Sequence, residues 1–184
     1  MFDDADAQSA ANGAAFACFV ASGQTCVSGT RLVVQDKIYD DFMARFMDKV
    51  ESITRRMGSR KFISFLLAQN AWLTLVTGCS FSLAANPHST MGTVISMRQL
   101  ERIEALVQRG VGKILAGGKR MRGTSPLDGY DFSQGAFFPP TVITDVPTED
   151  DLWREEIFGP VVVVTRFSVS YPAHLAFSSM AADS

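Results

Sequence analysis

The stretch IFGPVVVVTRF, residues 157–167, decides the fold class. Its four consecutive valines form an unbroken β-branched run, the pattern of a strand covered on both faces. A strand of that kind needs helices above and below its sheet, and the rest of the chain supplies them. TVITDV at 141–146, KILA at 113–116 (bounded by Gly117 and Gly118) and TRLVVQ at 30–35 read as further short strands. Asp6 caps a small-residue helix that runs through Ala10, Ala11, Ala14, Ala15 and Cys18 to about Ala21. Asp36 starts an amphipathic helix of about five turns with Ile38, Phe42, Phe46, Val50, Ile53 and Met57 on one face. Its other face carries Asp40, Asp41, Arg45, Asp48, Lys49, Glu51 and Arg55, the composition of a solvated surface. Ser96-x-x-Gln99 has the form of a capping box, opening a helix with Leu100, Ile103, Leu106 and Val107 inward and Gly110 at its end. Residues 123–135 are turn-rich and read as a loop. Helices alternating with short apolar strands predict an α/β fold with an open, mostly parallel sheet flanked by helices.

Composition narrows the function classes. The chain has 184 residues, 47% hydrophobic and 20% charged, which excludes a fully disordered protein. Seventeen basic and nineteen acidic residues give a net charge of -2, with no sign of a nucleic-acid groove or a membrane-binding basic face. Three cysteines (Cys18, Cys26, Cys79) and two histidines (His88, His174) are too few for a disulfide framework or a zinc cluster. An odd cysteine set without a CxxC pair suits a reducing compartment, so the expected location is cytoplasmic. The N-terminal MFDDADAQSA is acidic and lacks the apolar core of a signal peptide.

Cys26 is the candidate nucleophile. It sits in FVASGQTCVSGT, residues 19–30, after the predicted end of the first helix. Gly23 can adopt a backbone conformation closed to other residues and let a ligand approach. A thiol with the ordinary pKa of about 8.5 is already a few per cent thiolate at neutral pH. On spacing alone, a cysteine near the end of a small-residue helix is more often a small buried hydrophobe. Neither histidine lies near enough in sequence to support a Cys–His dyad.

The whole string shifts that balance. FVASGQTC resembles the active-site cysteine signature of the aldehyde dehydrogenase superfamily. Three other stretches agree in order and separation: FDDAD at 2–6, TRLVVQDKIYDDF at 30–42, and REEIFGPV at 154–161, which is similar to a second family hallmark. Ser28 departs from the signature, where alanine, glycine, cysteine or asparagine is usual. The resemblance covers residues 2–58 and 87–168 and implies a partial aldehyde dehydrogenase catalytic domain. It implies that Cys26 attacks an aldehyde carbonyl to give a thiohemiacetal, that hydride passes to NAD or NADP, and that water activated by a glutamate hydrolyses the resulting thioester. An asparagine amide and the nucleophile's own N–H would hold the developing oxyanion. Glu156 matches the glutamate that hydrogen-bonds the nicotinamide-side ribose, and Phe158 the aromatic packing beside it. Gln99 and Arg102 fall where some members contact the adenosine ribose. Without the resemblance, Glu155 and Glu156 would be surface acids and Phe158 a core residue. Members of the family act on small-molecule aldehydes and are homo-oligomers.

The family's general base lies in a Glu-Leu-Gly-Gly motif ahead of the FDDAD segment, and its oxyanion asparagine and dinucleotide-binding domain lie further upstream. This chain contains none of them, so the expectation is that it does not run the full cycle alone, and that its oligomer contacts are largely missing. A different class remains open: a non-catalytic fragment that serves as an interaction module or does not fold stably.

Residues 59–86 break the family pattern. Phe62 to Ala85 carries no charge and follows Arg55, Arg56, Arg60 and Lys61, which has the length and basic flank of a membrane span. Ser64, Gln69, Asn70, Thr74, Thr77, Ser80 and Ser82 argue against one, and the preferred reading is a translated intron. The resemblance is expected to end at Ser168, and Val169-Ser170 can be encoded by the splice-donor string GTAAGT. The expected organisation is therefore 1–58 with the nucleophile, 59–86 as an atypical insertion, 87–168 with the EEIFGPV motif, and 169–184 as an unrelated tail.

Overall fold

The computed structural model describes residues 1–58 and 89–168. The expected insertion at 59–86 and tail at 169–184, with Cys79, His88 and His174, lie outside the described residues. The elements run in the order α1 (Ala7–Phe19), β1 (Arg31–Gln35), α2 (Asp36–Arg55), α3 (Met97–Arg109), β2 (Lys113–Ala116), β3 (Thr141–Thr144), α4 (Asp151–Arg154) and β4 (Val161–Phe167). Short 3-10 turns occupy Val20–Gly23 and Phe132–Gln134.

The four strands form one sheet in the order β1-β4-β3-β2. β4 lies between β1 and β3 and is parallel to both, with Arg31 opposite Val163 and Thr141 opposite Val161. β2 joins β3 antiparallel, with a register shift between Ile114 and Ala116. The sheet is thus mostly parallel with one antiparallel edge.

The valine run explains the three layers. Successive strand side chains point to opposite faces. Val162 and Val164 enter the core built by α1 and α2, beside Val34, Val142, Phe42 and Phe46. Val161 and Val163 enter the second core with Leu100, Ile103, Leu106 and Ile143. All four valines are fully buried, and each contributes about 1.5–3 kcal/mol of apolar burial.

Helix starts follow the sequence signals closely. Asp6 Oδ1 accepts from the Ser9 amide at 2.7 Å. Ser96 Oγ accepts from the Gln99 amide at 3.2 Å. Some side chains depart from expectation. On α2, Tyr39 and Met43 are buried along with the expected core residues, while Ile38 is only half-buried. The buried stripe is wider than a three-and-four spacing implies, because the Arg166 guanidinium lies 3.7 Å from the Tyr39 ring centre and covers its outer face. Met57 lies beyond the helix, bridging in parallel to Met91. Helix α1 stops at Phe19 rather than near Ala21. On the outer edge of β1, the Met1 amino group donates to the Val33 carbonyl at 2.8 Å and the Gln35 amide donates to Met1 O at 3.0 Å.

Candidate active site

The backbone after α1 is what brings Cys26 to the surface. Ala21 (φ 50°), Ser22 (φ 57°) and Gly23 (φ 67°) are three consecutive left-handed residues. For Ala21 and Ser22 that conformation costs roughly 1–2 kcal/mol each. Hydrogen bonds hold the run in place. Ser22 Oγ donates to the Gly92 carbonyl at 3.1 Å in a buried setting, and Gln24 Nε2 donates to Ala21 O at 3.3 Å. Next comes a tight turn over Thr25–Ser28, closed by the Ser28 amide on Thr25 O at 3.0 Å. The Thr25 and Ser28 hydroxyls lie 2.7 Å apart across its base. Ser28, the departure from the family signature, thus helps to close the turn. Cys26 and Val27 form the tip and are exposed.

Cys18 has the opposite surroundings. It is buried on α1, its Sγ lies 2.8 Å from the Gly29 carbonyl, and burial pushes its pKa up to about 12. The expectation that this helix packs through small residues holds at Cys18. The bland alternative for Cys26, a small buried hydrophobe, does not hold.

Gly23 is required for a reason different from the one expected of it. A Cβ at Gly23 would come within 2.1 Å of the Gly159 carbonyl oxygen. The close approach is therefore made by the protein's own backbone, where the GQTC segment meets the FGPV segment. Two motifs more than a hundred residues apart in sequence form one junction. Gly159 is hemmed in on its other side, where a Cβ would lie 2.4 Å from Ile103 Cδ1 on α3.

The loop leading into that junction carries Glu156 and Phe158. Phe158 has φ 56°, an unfavourable conformation for an aromatic residue, and the residue is 38% exposed. Side chains from α3 grip the loop by its carbonyls. Gln99 Nε2 donates to Phe158 O at 2.9 Å and Ile157 O at 3.3 Å. Arg102 donates to Ile157 O at 2.8 Å and Glu156 O at 3.2 Å. Gln99 therefore supplies only half of the expected capping box: its amide takes the Ser96 cap, while its side chain reaches the loop.

The two acids of the loop differ. The Glu155 carboxylate sits 3.4 Å from Arg102 and 4.0 Å from Arg109. Glu156 is exposed, and its carboxylate has no ion pair among the described residues. Glu156 and Phe158 thus present a free acceptor and an apolar ring, a combination that could receive a hydroxylated ligand with a flat face. Beyond Gly23, nothing in the sequence announces the left-handed run at 21–23 or the Gln99 and Arg102 grips.

Among the described residues, no group of three or more His, Cys, Asp or Glu side chains could hold a metal ion, and no helix is long and apolar enough to cross a membrane.

Comparison with known proteins bears on this pairing of motifs. A sequence model described as the aldehyde dehydrogenase family matches residues 1–173. Aldehyde dehydrogenase [NAD(P)+] 2 of Saccharomyces cerevisiae is 34% identical over 175 residues, covering 91% of this chain and 28% of the yeast protein. Among solved structures, HpcC from Thermus thermophilus superposes with a TM-score of 0.71 at 28% identity, covering 91% of this chain and 27% of that one. The betaine aldehyde dehydrogenase of Staphylococcus aureus, solved in complex with NAD+, gives 0.69 at 31% identity, covering 91% and 28% respectively. The chain thus spans little more than a quarter of the length of these relatives. With both signature segments meeting at one backbone junction and the family model matching nearly end to end, this chain belongs to the aldehyde dehydrogenase family.

Proposed function

We propose that the chain carries the thiol half of an aldehyde-oxidising site, which converts an aldehyde to a carboxylic acid with NAD or NADP. The observation that carries this reading is the junction of Gly23 with Gly159, because it sets the exposed Cys26 turn and the Glu156–Phe158 loop on adjoining pieces of backbone. Cys26 Sγ loses its proton to solvent and adds to the aldehyde carbonyl carbon, and the Cys26 backbone N–H stabilises the oxygen as it gains charge. A bound NAD or NADP supplies the hydride acceptor. Glu156 would accept hydrogen bonds from its ribose hydroxyls, a role that suits an exposed carboxylate with no ion pair among the described residues. Phe158 offers its exposed ring to the same ligand. The Gln99 and Arg102 grips keep both side chains at the surface.

A thioester on Cys26 needs a base to activate water, and the Glu-Leu-Gly-Gly glutamate is not among these 184 residues. Without such a base, an acyl group placed on Cys26 by an activated ester is expected to leave slowly. A free thiol is required at the start of each cycle, which fits a reducing, cytoplasmic setting.

Acyl transfer from 4-nitrophenyl acetate tests the reading. The Cys79→Ser chain should release a burst of about one equivalent of nitrophenolate, followed by slow turnover. Cys26→Ser in the same background should abolish the burst. A burst that survives this substitution would remove Cys26 from the chemistry.

A further inference from the structure

Three segments close into a ring around the junction. Gly23 abuts the Gly159 carbonyl. The side chain of Gln24, the next residue, accepts from the Ile95 amide at 2.8 Å. Ile95 is followed directly by Ser96, which caps α3 through the Gln99 amide, and the Gln99 side chain donates to Phe158 O at 2.9 Å. The path runs Gly23, Gln24, Ile95, Ser96, Gln99, Phe158, Gly159 and back to Gly23. Every link is a backbone contact, a peptide bond or a side chain gripping backbone. The first turn of α3 therefore spans the two loops whose backbones meet at the junction.

We propose that Gln24 and Gln99 are positioning residues that fix the Cys26 turn relative to the Glu156–Phe158 loop. Both are uncharged amides, so neither is the acid or base of a proton transfer. Each places its polar end on a main-chain group: Gln24 on the Ile95 amide, Gln99 on the Phe158 carbonyl. Breaking either link opens the ring. Phe158 can then relax from its left-handed conformation, and the Gly159 carbonyl is no longer held against Gly23. The effect should reach Cys26 through backbone alone. Arg102 reinforces the Gln99 grip through Ile157 O and Glu156 O. The inference rests on the reading of Cys26 as nucleophile for its functional meaning, and on the ring alone for its physical content.

The test uses the full chain with Cys79→Ser and a trifluoromethyl probe on Cys26. Cys18 stays unlabelled because its thiol is buried and its pKa is about 12. Gln99→Met keeps the length of the side chain and removes its donor. The fluorine resonance of the Cys26 probe should shift or split in Gln99→Met and in Gln24→Met. The double variant should move it no further than the larger single effect, since one opened ring cannot be opened twice. Exchange of the Ile95 amide should rise about five- to tenfold in Gln24→Met, the size expected for one lost hydrogen bond. Arg102→Ala should give a smaller shift, and Arg102→Lys, which keeps a donor, should restore most of it. Arg45→Ala, on the outer face of α2, should leave the resonance where it was. An unmoved Cys26 resonance in both methionine variants would overturn the proposal, whatever their melting temperatures, and so would additive shifts in the double variant. A moved resonance combined with no acyl burst would keep the ring and remove the catalytic reading instead.

Discussion

Cys18 and Cys26 lie eight residues apart and carry the same thiol, yet the fold gives them opposite properties. Cys18 is fully buried, close to the Gly29 carbonyl, with its pKa raised to about 12 by burial. Cys26 is exposed at the tip of a four-residue turn. Between them, α1 ends and three left-handed residues redirect the chain out of the core. The exposure of a thiol here is therefore set by backbone geometry rather than by residue type. The geometry is stabilised from a distance, by Gly92, Ile95 and Gly159.

The largest expected contrast between the two thiols is in alkylation. At pH 8 a thiol with pKa about 12 is ionised in roughly one molecule in 10,000. Iodoacetamide should modify Cys26 at least about a thousandfold faster than Cys18 in the Cys79→Ser chain, as read by peptide mass mapping. Equal rates would mean that α1 is not packed as described.

Gly23→Ala should be the most damaging single substitution at the junction. It forces a Cβ against the Gly159 carbonyl at φ 67°. A loss of about 3 kcal/mol is expected in urea unfolding, with Cys18 losing part of its protection. A loss below about 1 kcal/mol would show that the junction is loose.

Truncating the two thiols should separate them again, by a smaller margin. Cys18→Ala leaves a small void in the core beside α2 and should cost about 1–2 kcal/mol. Cys26→Ala, at the exposed tip, should stay within about 0.5 kcal/mol. Comparable losses would contradict the assigned burial.

The smallest effect serves as a control remote from both thiols. Arg120 Nε donates to Glu104 at 2.7 Å and holds the Glu104 carboxyl below its usual value of 4.5. The pair is partly exposed, so Glu104→Gln should cost less than about 1 kcal/mol at pH 7. The folded-state pKa is the lower one, so the stabilisation is complete above pH 4.5 and disappears as pH falls through the folded-state value. Unfolding midpoints of Glu104→Gln and wild type should therefore converge in acid. Neither thiol should change its alkylation rate.

The contrast between Cys18 and Cys26 also marks where the sequence could be read and where it could not. The sheet was legible because four valines with no polar interruption fit few environments other than a strand covered twice. Helix starts were legible because Asp6 and Ser96 cap them with local bonds, three residues from donor to acceptor. The burial of Tyr39 is not legible locally because its cover, Arg166, comes from a strand more than a hundred residues away. The site was legible as two motifs but not as one place. Little local to Ala21 or Ser22 announces a left-handed turn, since apart from the Gln24 bond to Ala21 O its stabilising partners lie some seventy or more residues downstream. Gln99 reads as a local cap because the local pattern is complete in itself, and its longer reach depends on where the 156–159 loop passes. Short-range signals fixed the elements, and long-range backbone contacts assembled the site.

The most direct test of this account is to locate the acetyl group after brief exposure of the folded Cys79→Ser chain to 4-nitrophenyl acetate at neutral pH. Peptide mass mapping should find acetyl on Cys26 and none on Cys18, with both thiols reacting alike once the chain is unfolded in urea. Acetyl on both thiols in the folded chain, or on neither, would contradict it.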